Sequence, residues 1–284
     1  MKTALIMEGG AMRGMFTCGV IDVLMERDIT FEAAAGISAG AVFGCNYKSC
    51  QIGRGIRYNK RYGRDPRYCS VRSLLTTGDL YGADFCYREL PDELDVFDRE
   101  AFRDNPMDFY IGATDMTTGE AVFHKCTDGR EKDMLWMRAS ASMPLVSRPV
   151  KVDGYTLLDG GVAEAVPYRY MENIGYDRNV MILTQPKGYR KKKSKASFAF
   201  PLLFLKYPAF AVAMQTRYDR YNRMMEEIDR LEESGRALVI RPPESLGISH
   251  TESDPTQLER VYQIGRTEVL NRLIELRCFM QADA

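Results

Sequence analysis

Gly36-Ile37-Ser38-Ala39-Gly40 places a serine between two glycines, directly after a short apolar run. The run at 31–35 predicts a strand, and 39–47 predicts a helix whose N-terminal dipole lies behind Ser38. A serine hydroxyl becomes a useful nucleophile when the backbone bends so that Oγ projects from a strand end, and flanking glycines permit that bend. The stretch therefore predicts a strand–turn–helix unit that presents a nucleophile. A tight turn with Ser38 as an ordinary helix N-cap is the alternative.

A second glycine cluster follows the first predicted strand, at 3–7, and precedes a predicted helix at 15–27. Consecutive glycines let the main chain approach a ligand closely, and N–H groups at a helix start point toward negative charge. The cluster therefore predicts an oxyanion hole or a phosphate cradle, in which Arg13 holds the loop by pairing with a local carboxylate or carbonyl. A dinucleotide-binding turn is disfavoured, because Ala11 replaces the glycine that lets a pyrophosphate approach.

An acidic turn lies much farther along the chain, where Asp159-Gly160-Gly161 follows a predicted strand at 155–158. A carboxylate at a strand end, followed by two glycines, can reach a serine on a neighbouring strand with no side chain in the gap. Asp159 is therefore the candidate general base. Taken alone, an ordinary hairpin turn is the stronger interpretation, because Asp-Gly is the commonest short turn signal.

In this order, the glycine loop, the serine turn and the Asp-Gly-Gly resemble the patatin-like phospholipases, lipid acyl hydrolases that use a Ser-Asp dyad. The resemblance spans residues 1–185 and includes a small-residue and proline segment at 139–144. It implies Ser38 as the nucleophile and Asp159 as the general base of a two-step acyl transfer on a lipid or other ester, with no cofactor and no metal. It assigns the oxyanion hole and its support to four residues, namely Gly9, Gly10, Ala11 and Arg13.

Two positions depart from the Asp-Gly-Gly-Gly with which the family usually opens: Glu8 replaces the aspartate, and Ala11 replaces the last glycine. An amide donor does not need glycine, so Ala11 can serve if its backbone angles suit an alanine. The methyl group of Ala11 occupies space that the family's glycine leaves open. The departure therefore puts the access of a bulky lipid headgroup to the site in doubt.

The histidines bear on the choice between a dyad and a Ser-His-Asp triad, because the chain has only two, His124 and His250. The order Ser38, Asp159, His250 is that of an α/β-hydrolase. We favour the dyad, because the serine turn follows the second predicted strand and His250 lies in a polar stretch that predicts an exposed loop. His124 is predicted to be a surface or satisfied sheet residue, and neither histidine has metal-ligand spacing with a cysteine.

The alternation of apolar strands with amphipathic segments predicts an α/β fold of three layers, with a mainly parallel central sheet flanked by helices. We assign this fold to residues 1–185 and a helical extension packed on it to 186–284. Helices are predicted at 215–231 and 257–280. Strands are predicted at 3–7, 31–35, 108–114, 120–124, 155–158, 179–183 and 237–240.

A net charge of zero argues against nucleic acid as a partner. For the same reason we interpret the tyrosine- and arginine-rich stretch 54–67 as a loop at the rim of the site. Seven cysteines without a C-x-x-C pair, and a first strand that leaves no room for a signal peptide, predict a cytoplasmic protein. The composition favours no particular oligomeric state. A non-catalytic lipid-binding module and a nucleotide-binding enzyme are the competing function classes.

One segment differs in composition from the rest of the chain, because a basic run at 187–195 precedes an apolar stretch at 196–214. A lysine and two prolines divide the stretch, which argues against a transmembrane span. One interpretation is peripheral contact with an anionic membrane, on the inner membrane face, through 187–210. The other is a lid or cap over the site with solvated lysines. In the membrane interpretation four side chains enter the acyl boundary, namely Phe198, Phe200, Leu203 and Phe204.

Overall fold

An eight-stranded sheet forms the middle layer of the protein, for which a computed structural model describes residues 2–281. The strands are β1 (Thr3–Met7), β2 (Ala33–Ile37), β3 (Asp108–Asp115), β4 (Ala121–Cys126), β5 (Val150–Val152), β6 (Tyr155–Asp159), β7 (Arg178–Ile182) and β8 (Ala237–Ile240). Their order is β5-β6-β3-β2-β1-β7-β8, and β4 pairs with β3. The five strands from β3 to β8 in this order pair in parallel, whereas β4, β5 and β6 pair antiparallel. The predicted fold class is confirmed.

The helices cover both faces of the sheet. They are α1 (Met15–Glu26), α2 (Ala39–Lys48), α3 (Arg54–Tyr62), α4 (Val71–Thr77), α5 (Arg99–Asp104), α6 (Glu131–Ala141), α7 (Tyr168–Asn173), α8 (Phe200–Leu203), α9 (Pro208–Glu233), α10 (Pro255–Asn271) and α11 (Leu273–Gln281), with a π-helical segment at Phe85–Leu94. Alternate residues of β1 serve the two cores: Leu5 and Met7 pack with α1 and α2, whereas Ala4 and Ile6 pack with α7 and α9. Because both faces are covered, the central strands are continuously apolar rather than alternating.

All seven predicted strands are present, and the structure adds β5, which is three residues long and therefore gives little periodic signal. β2 begins and ends two residues later than predicted, because the chain stays extended through Gly36 to pair Ile37 with Gly112. The single helix predicted at 257–280 is two helices, separated at Arg272. The prediction of a rim loop at 54–67 is wrong for the first part of this segment, because Arg54–Tyr62 forms the helix α3.

The segment after residue 185 joins the same sheet, since β8 pairs in parallel with β7. α10 packs across α1 at backbone distance: a Cβ at Gly19 would lie 2.0 Å from the Tyr262 carbonyl oxygen, and one at Gly265 would lie 2.1 Å from that of Phe16. The division into residues 1–185 and 186–284 stays a prediction, and Met1 and residues 282–284 lie outside the described residues. No helix between residues 2 and 281 has the length and apolar content to cross a membrane.

We predict that Gly265→Ala destabilises the protein by about 2–3 kcal/mol, because the added methyl group overpacks a contact made by backbone, which cannot rotate away. Urea denaturation measures the free energy of unfolding. Thr267→Ala, at an exposed position of the same helix, is the matched control and should change stability by less than about 0.5 kcal/mol. Equal stabilities for the two variants would contradict the close α1–α10 contact.

Candidate active site

The C-terminal ends of strands β2 and β6 meet along one edge of β3. Ile37 at the end of β2 pairs with Gly112, and Asp159 at the end of β6 pairs with the next residue, Ala113. β4 pairs with both Gly112 and Ala113. Since β4 fills one edge of β3 at these residues, β2 and β6 share the other edge. This arrangement brings Ser38, which follows β2, next to Asp159.

Ser38 occupies a strained turn between β2 and α2, with φ 52° and ψ −118°. Non-glycine residues adopt positive φ at a cost, and such strain is typical of functional turns. Its side chain makes no capping hydrogen bond to α2, so the ordinary N-cap interpretation is wrong. The flanking glycines are needed for space: a Cβ at Gly36 would lie 2.3 Å from the Gly40 carbonyl oxygen, and one at Gly40 would lie 2.3 Å from that of Met7.

Asp159 is buried, with 5% of its surface exposed. Its Oδ1 accepts the N–H of Gly161 at 2.8 Å, and the Ser38 side chain lies close enough to the carboxylate to stabilise its charged form. Burial raises the pKa of Asp159, although Arg217, Ser38 and the Gly161 N–H act in the opposite direction. The hairpin interpretation of Asp-Gly-Gly is wrong, because β6 continues into a 3₁₀ turn at Gly160–Val162.

Ser140 joins the two halves of the site, and the sequence analysis gave it no role. Its Oγ accepts the N–H of Ser38 at 2.8 Å and donates to the carbonyl of Gly112 at 2.6 Å. Two residues later, the carbonyl of Ser142 accepts the N–H of Asp159 at 2.8 Å. The end of α6 therefore positions both the serine and the aspartate. The family-like segment 139–144 was the signal, but sequence alone does not show which serine turns inward.

The glycine loop lies against Ser38, since a Cβ at Gly9 would lie 3.1 Å from Ser38 Cβ. The N–H of Gly9 already donates to the Ala165 carbonyl at 3.2 Å. In the part of the chain that the structure describes, the N–H groups of Gly10 and Ala11 have no acceptor. These two amides are the donors available to a ligand. Ala11 has φ 49°, a conformation that an alanine adopts only at a cost.

Glu8, which replaces the family's aspartate, ties this loop to the C-terminal half of the chain. It is buried, and its Oε2 accepts both the N–H of Thr184 at 2.5 Å and the Thr184 hydroxyl at 3.1 Å. Its Oε1 accepts the hydroxyl of Tyr221, in α9, at 2.8 Å. The longer side chain therefore connects the end of β1 to β7 and to α9.

Two cations from the later part of the chain, Lys191 and Arg217, lie near Asp159. Arg217 donates from Nε to the Gly161 carbonyl at 2.7 Å, and a Cβ at Gly161 would lie 3.0 Å from Asp159 Oδ1 and 3.3 Å from Arg217 Nη2. Lys191 Nζ lies 4.1 Å from the centre of the Tyr221 ring. Burial, with Arg217 as the next cause, lowers the pKa of Lys191 to about 7. Lys191 is therefore wrongly assigned to the solvated or membrane-facing lysines.

Arg13 pairs with His250 rather than with the carboxylate or carbonyl that the sequence predicts. Arg13 Nη1 lies 3.0 Å from His250 Nε2. Because a guanidinium only donates, His250 Nε2 accepts. Burial and then Arg13 lower the pKa of His250, which favours this neutral form. His250 Nε2 is thus engaged by Arg13, while the Ser38 side chain lies beside Asp159.

An apolar cavity of about 100 Å³ opens beside Ser38 and Ala11. Arg54, the first residue of α3, lines it and is held by Asp95 and by Asn46 Oδ1. The remaining walls are mainly aromatic and aliphatic, and include Val42, Phe43, Tyr58, Leu90, Met137 and Met143. Such walls suit an apolar chain attached to a group at Ser38. A wider cleft of about 1290 Å³ adjoins it at Tyr87 and Met134, and its lining is dominated by charged residues.

The described residues contain one group of three potential metal ligands, His124, Cys126 and Asp133, away from Ser38. His124 Nε2 lies 2.7 Å from Asp133 Oδ1, and Asp133 Oδ2 accepts three backbone N–H groups, those of residues 127–129. Both carboxylate oxygens are therefore already used within the fold. His124 also stacks on Trp136, as expected for a satisfied sheet residue.

Comparison with known proteins gives a consistent result. Residues 5–171 match the family model described as patatin-like phospholipase, and residues 207–281 match a domain of unknown function (DUF6363). The uncharacterized protein YjjU of Escherichia coli is 29% identical over 195 residues, which cover 65% of this chain and 52% of that protein. Lysophospholipase NTE1 of Coccidioides immitis is 24% identical over 294 residues, covering 96% of this chain and 18% of that protein. The chain thus spans about half the length of YjjU and less of NTE1.

Among solved structures, VipD from Legionella pneumophila aligns with a TM-score of 0.49 and 14% sequence identity, over 96% of this chain and 67% of that chain.

We predict that Ala11→Gly stabilises the protein by up to about 1 kcal/mol, because glycine adopts positive φ without the steric cost that alanine carries. Thermal and urea unfolding measure the change. Ala101→Gly, within the regular helix α5, is the control and should destabilise by about 1 kcal/mol. The same sign for both variants would argue against strain at position 11.

Proposed function

The chain belongs to the patatin-like phospholipase family, and on that premise we propose that it is a serine hydrolase that cleaves carboxylic ester bonds of lipids. The observation that carries the proposal is the position of Ser38 beside the buried Asp159, next to an apolar cavity and to two amides that have no acceptor among residues 2–281. Relatives named lysophospholipase support a lipid ester as substrate. The non-catalytic alternative leaves this arrangement of nucleophile, base and donors unexplained.

The proposed reaction has two steps. Asp159 accepts the proton of Ser38 Oγ while Oγ attacks the ester carbonyl carbon, and the resulting oxyanion accepts N–H groups of Gly10 and Ala11. Collapse breaks the ester bond, and the leaving alkoxide takes the proton back from Asp159. Water, deprotonated by Asp159, then attacks the acyl-enzyme, and the fatty acid leaves as Ser38 regains its proton. The acyl chain occupies the cavity beside Ser38 during both steps.

A carboxylate near its ordinary pKa of about 4 is a weak base toward a serine hydroxyl. Burial makes the Asp159 carboxylate a stronger base toward the serine hydroxyl, because desolvation raises its pKa. The triad alternative receives less support, since His250 Nε2 is held by Arg13.

We predict that Ser38→Ala and Asp159→Asn each lower kcat/KM on a chromogenic short-chain ester by about 10³-fold or more, because nucleophile and base act as one unit. His250→Ala should stay within about tenfold of the wild type, since His250 supports Arg13 only. Fluorophosphonate labelling with peptide mapping should modify Ser38. A comparable collapse in all three variants would transfer the proposal to a triad, and a label elsewhere would remove the enzyme assignment.

We predict that kcat/KM falls as the pH decreases through the pKa of Asp159, because only the unprotonated carboxylate acts as a base. Burial places this pKa above its ordinary value of 3.8, so the acidic limb should lie above that of an exposed aspartate. A pH–rate profile on a neutral ester measures the limb. An acidic limb at or below pH 3.8 would exclude Asp159 as the base.

We further propose peripheral contact with an anionic membrane through residues 187–210. Three apolar side chains in and beside α8 are largely exposed, namely Phe198 (83%), Leu202 (72%) and Leu205 (71%), next to the exposed Lys193 and Lys195. An apolar patch beside a basic one suits the interface of an anionic bilayer. The surface differs from the predicted one, because Phe200 is buried and Phe204 packs on Phe210. The cytoplasmic location stays a prediction.

We predict that the double variant Phe198→Ser, Leu202→Ser weakens co-sedimentation with phosphatidylglycerol vesicles by about tenfold or more, because it removes the apolar part of the contact. Ile274→Ser is the control: Ile274 is equally exposed (82%) but lies in α11. Binding that is independent of anionic lipid, or lost equally in the control, would retire the membrane proposal.

A further inference from the structure

The C-terminal part of the chain brings positive charge to the candidate active site. Lys191 and Arg217 both lie outside residues 5–171, which match the patatin-like model, and Arg217 falls in the domain of unknown function. Both lie close enough to Asp159 to interact electrostatically with it, and Lys191 also interacts in this way with Arg13 and Arg217. Together with Arg13 they form a cation cluster of three side chains beside the proposed nucleophile.

The cation cluster lacks carboxylate partners. Among residues 2–281, none of Arg13, Lys191 and Arg217 forms a salt bridge. Elsewhere in α9 the exposed Arg223 pairs with Asp219. The two acids that face the cluster are already engaged: Glu8 accepts three donors, and Asp159 accepts the N–H of Gly161 and lies beside Ser38.

Two polar groups of the cluster are poorly satisfied. Arg13 Nε is buried and has no hydrogen-bond partner among the described residues. Lys191 Nζ faces the ring of Tyr221, and burial together with Arg217 lowers its pKa. Arg13, Lys191 and Arg217 are half-buried. Partly desolvated positive charge without a direct carboxylate partner is costly, so an anion in this position would be favourable.

We propose that Arg13, Lys191 and Arg217 form a subsite for a phosphate group carried by the substrate next to the scissile ester, which makes a phosphate monoester of an acylated glycerol the preferred substrate class. The inference rests on the proposed hydrolase function and deepens it. Three cations match a group that carries up to two negative charges and offers several acceptor oxygens. A compact monoester headgroup also suits a site in which Ala11 replaces the family's glycine and lines the cavity beside Ser38.

The competing explanation is that the cations only adjust the basicity of Asp159. Such tuning would change the hydrolysis of charged and neutral esters by the same factor, because both reactions use the same base. A phosphate subsite changes the ratio between the two substrates. The deciding quantity is therefore the ratio of kcat/KM values.

The test compares 1-acylglycerol 3-phosphate with the monoacylglycerol of the same acyl chain, both below their micelle concentrations. The full chain should prefer the phosphorylated ester by about tenfold or more, as expected for charge-assisted hydrogen bonds. Lys191→Gln should remove most of this preference, because it should lower kcat/KM for the phosphorylated ester about tenfold more than for the neutral ester. Lys192→Gln, at the neighbouring exposed position, carries the same charge change and should behave like the wild type.

Inorganic phosphate provides a readout that does not depend on turnover. It should inhibit neutral-ester hydrolysis competitively and, by calorimetry at pH 8, bind with proton uptake, because the anion returns Lys191 from a pKa of about 7 to its charged form. Lys191→Gln should bind phosphate about tenfold more weakly and take up fewer protons. Phosphate binding that is unchanged in Lys191→Gln would overturn the subsite.

The outcomes separate the two proposals. Hydrolysis of both esters at equal rates would overturn the phosphate subsite and leave the hydrolase function intact. Absence of hydrolysis and of fluorophosphonate labelling would overturn the hydrolase function, while phosphate binding would still decide whether the cluster holds an anion. Phosphate binding without a preference for the phosphorylated ester would indicate a site for the free ion and contradict the substrate class.

Discussion

The site depends on one constraint, which is that β2 and β6 must share a single edge of β3. β2 runs parallel to β3, and β6 runs antiparallel to it. The C-terminal ends of β2 and β6 therefore meet beside Gly112 and Ala113. Any change of register by one residue would turn Ser38 or Asp159 toward the other face. The proximity of the two side chains follows from this meeting of strands.

Close backbone approach is what allows the strands to meet. A Cβ at Gly160 would lie 2.4 Å from the Gly112 carbonyl oxygen, and a Cβ at Gly112 would lie 2.4 Å from Ile37 Cδ1. Ser140 then joins β2 and β3 through one hydroxyl that both accepts and donates. Rigid support of this kind holds the side chains of Ser38 and Asp159 next to each other without the need for a mobile loop.

The C-terminal segment is part of the same functional unit, because it completes the surroundings of Asp159. Tyr221 donates a hydrogen bond to Glu8, which directly precedes Gly9 and Gly10, and Arg217 lies over the turn after β6. The electrostatics of the site are therefore set jointly by residues that match the patatin-like model and by residues that follow it. The charge at the site and the apolar patch of α8 lie on the same connected segment, between β7 and β8.

The sequence by itself determined the elements and the candidate reacting pair: glycine spacing marked Ser38, a strand-end acid marked Asp159, and periodicity marked seven strands. These signals are local, since each depends on residues a few positions apart. The tertiary structure alone decided that Ser140 positions the pair, that Lys191 turns inward, and that Arg13 meets His250. Such contacts join residues that are distant in the chain, so strand order and helix packing, and not local pattern, determine them.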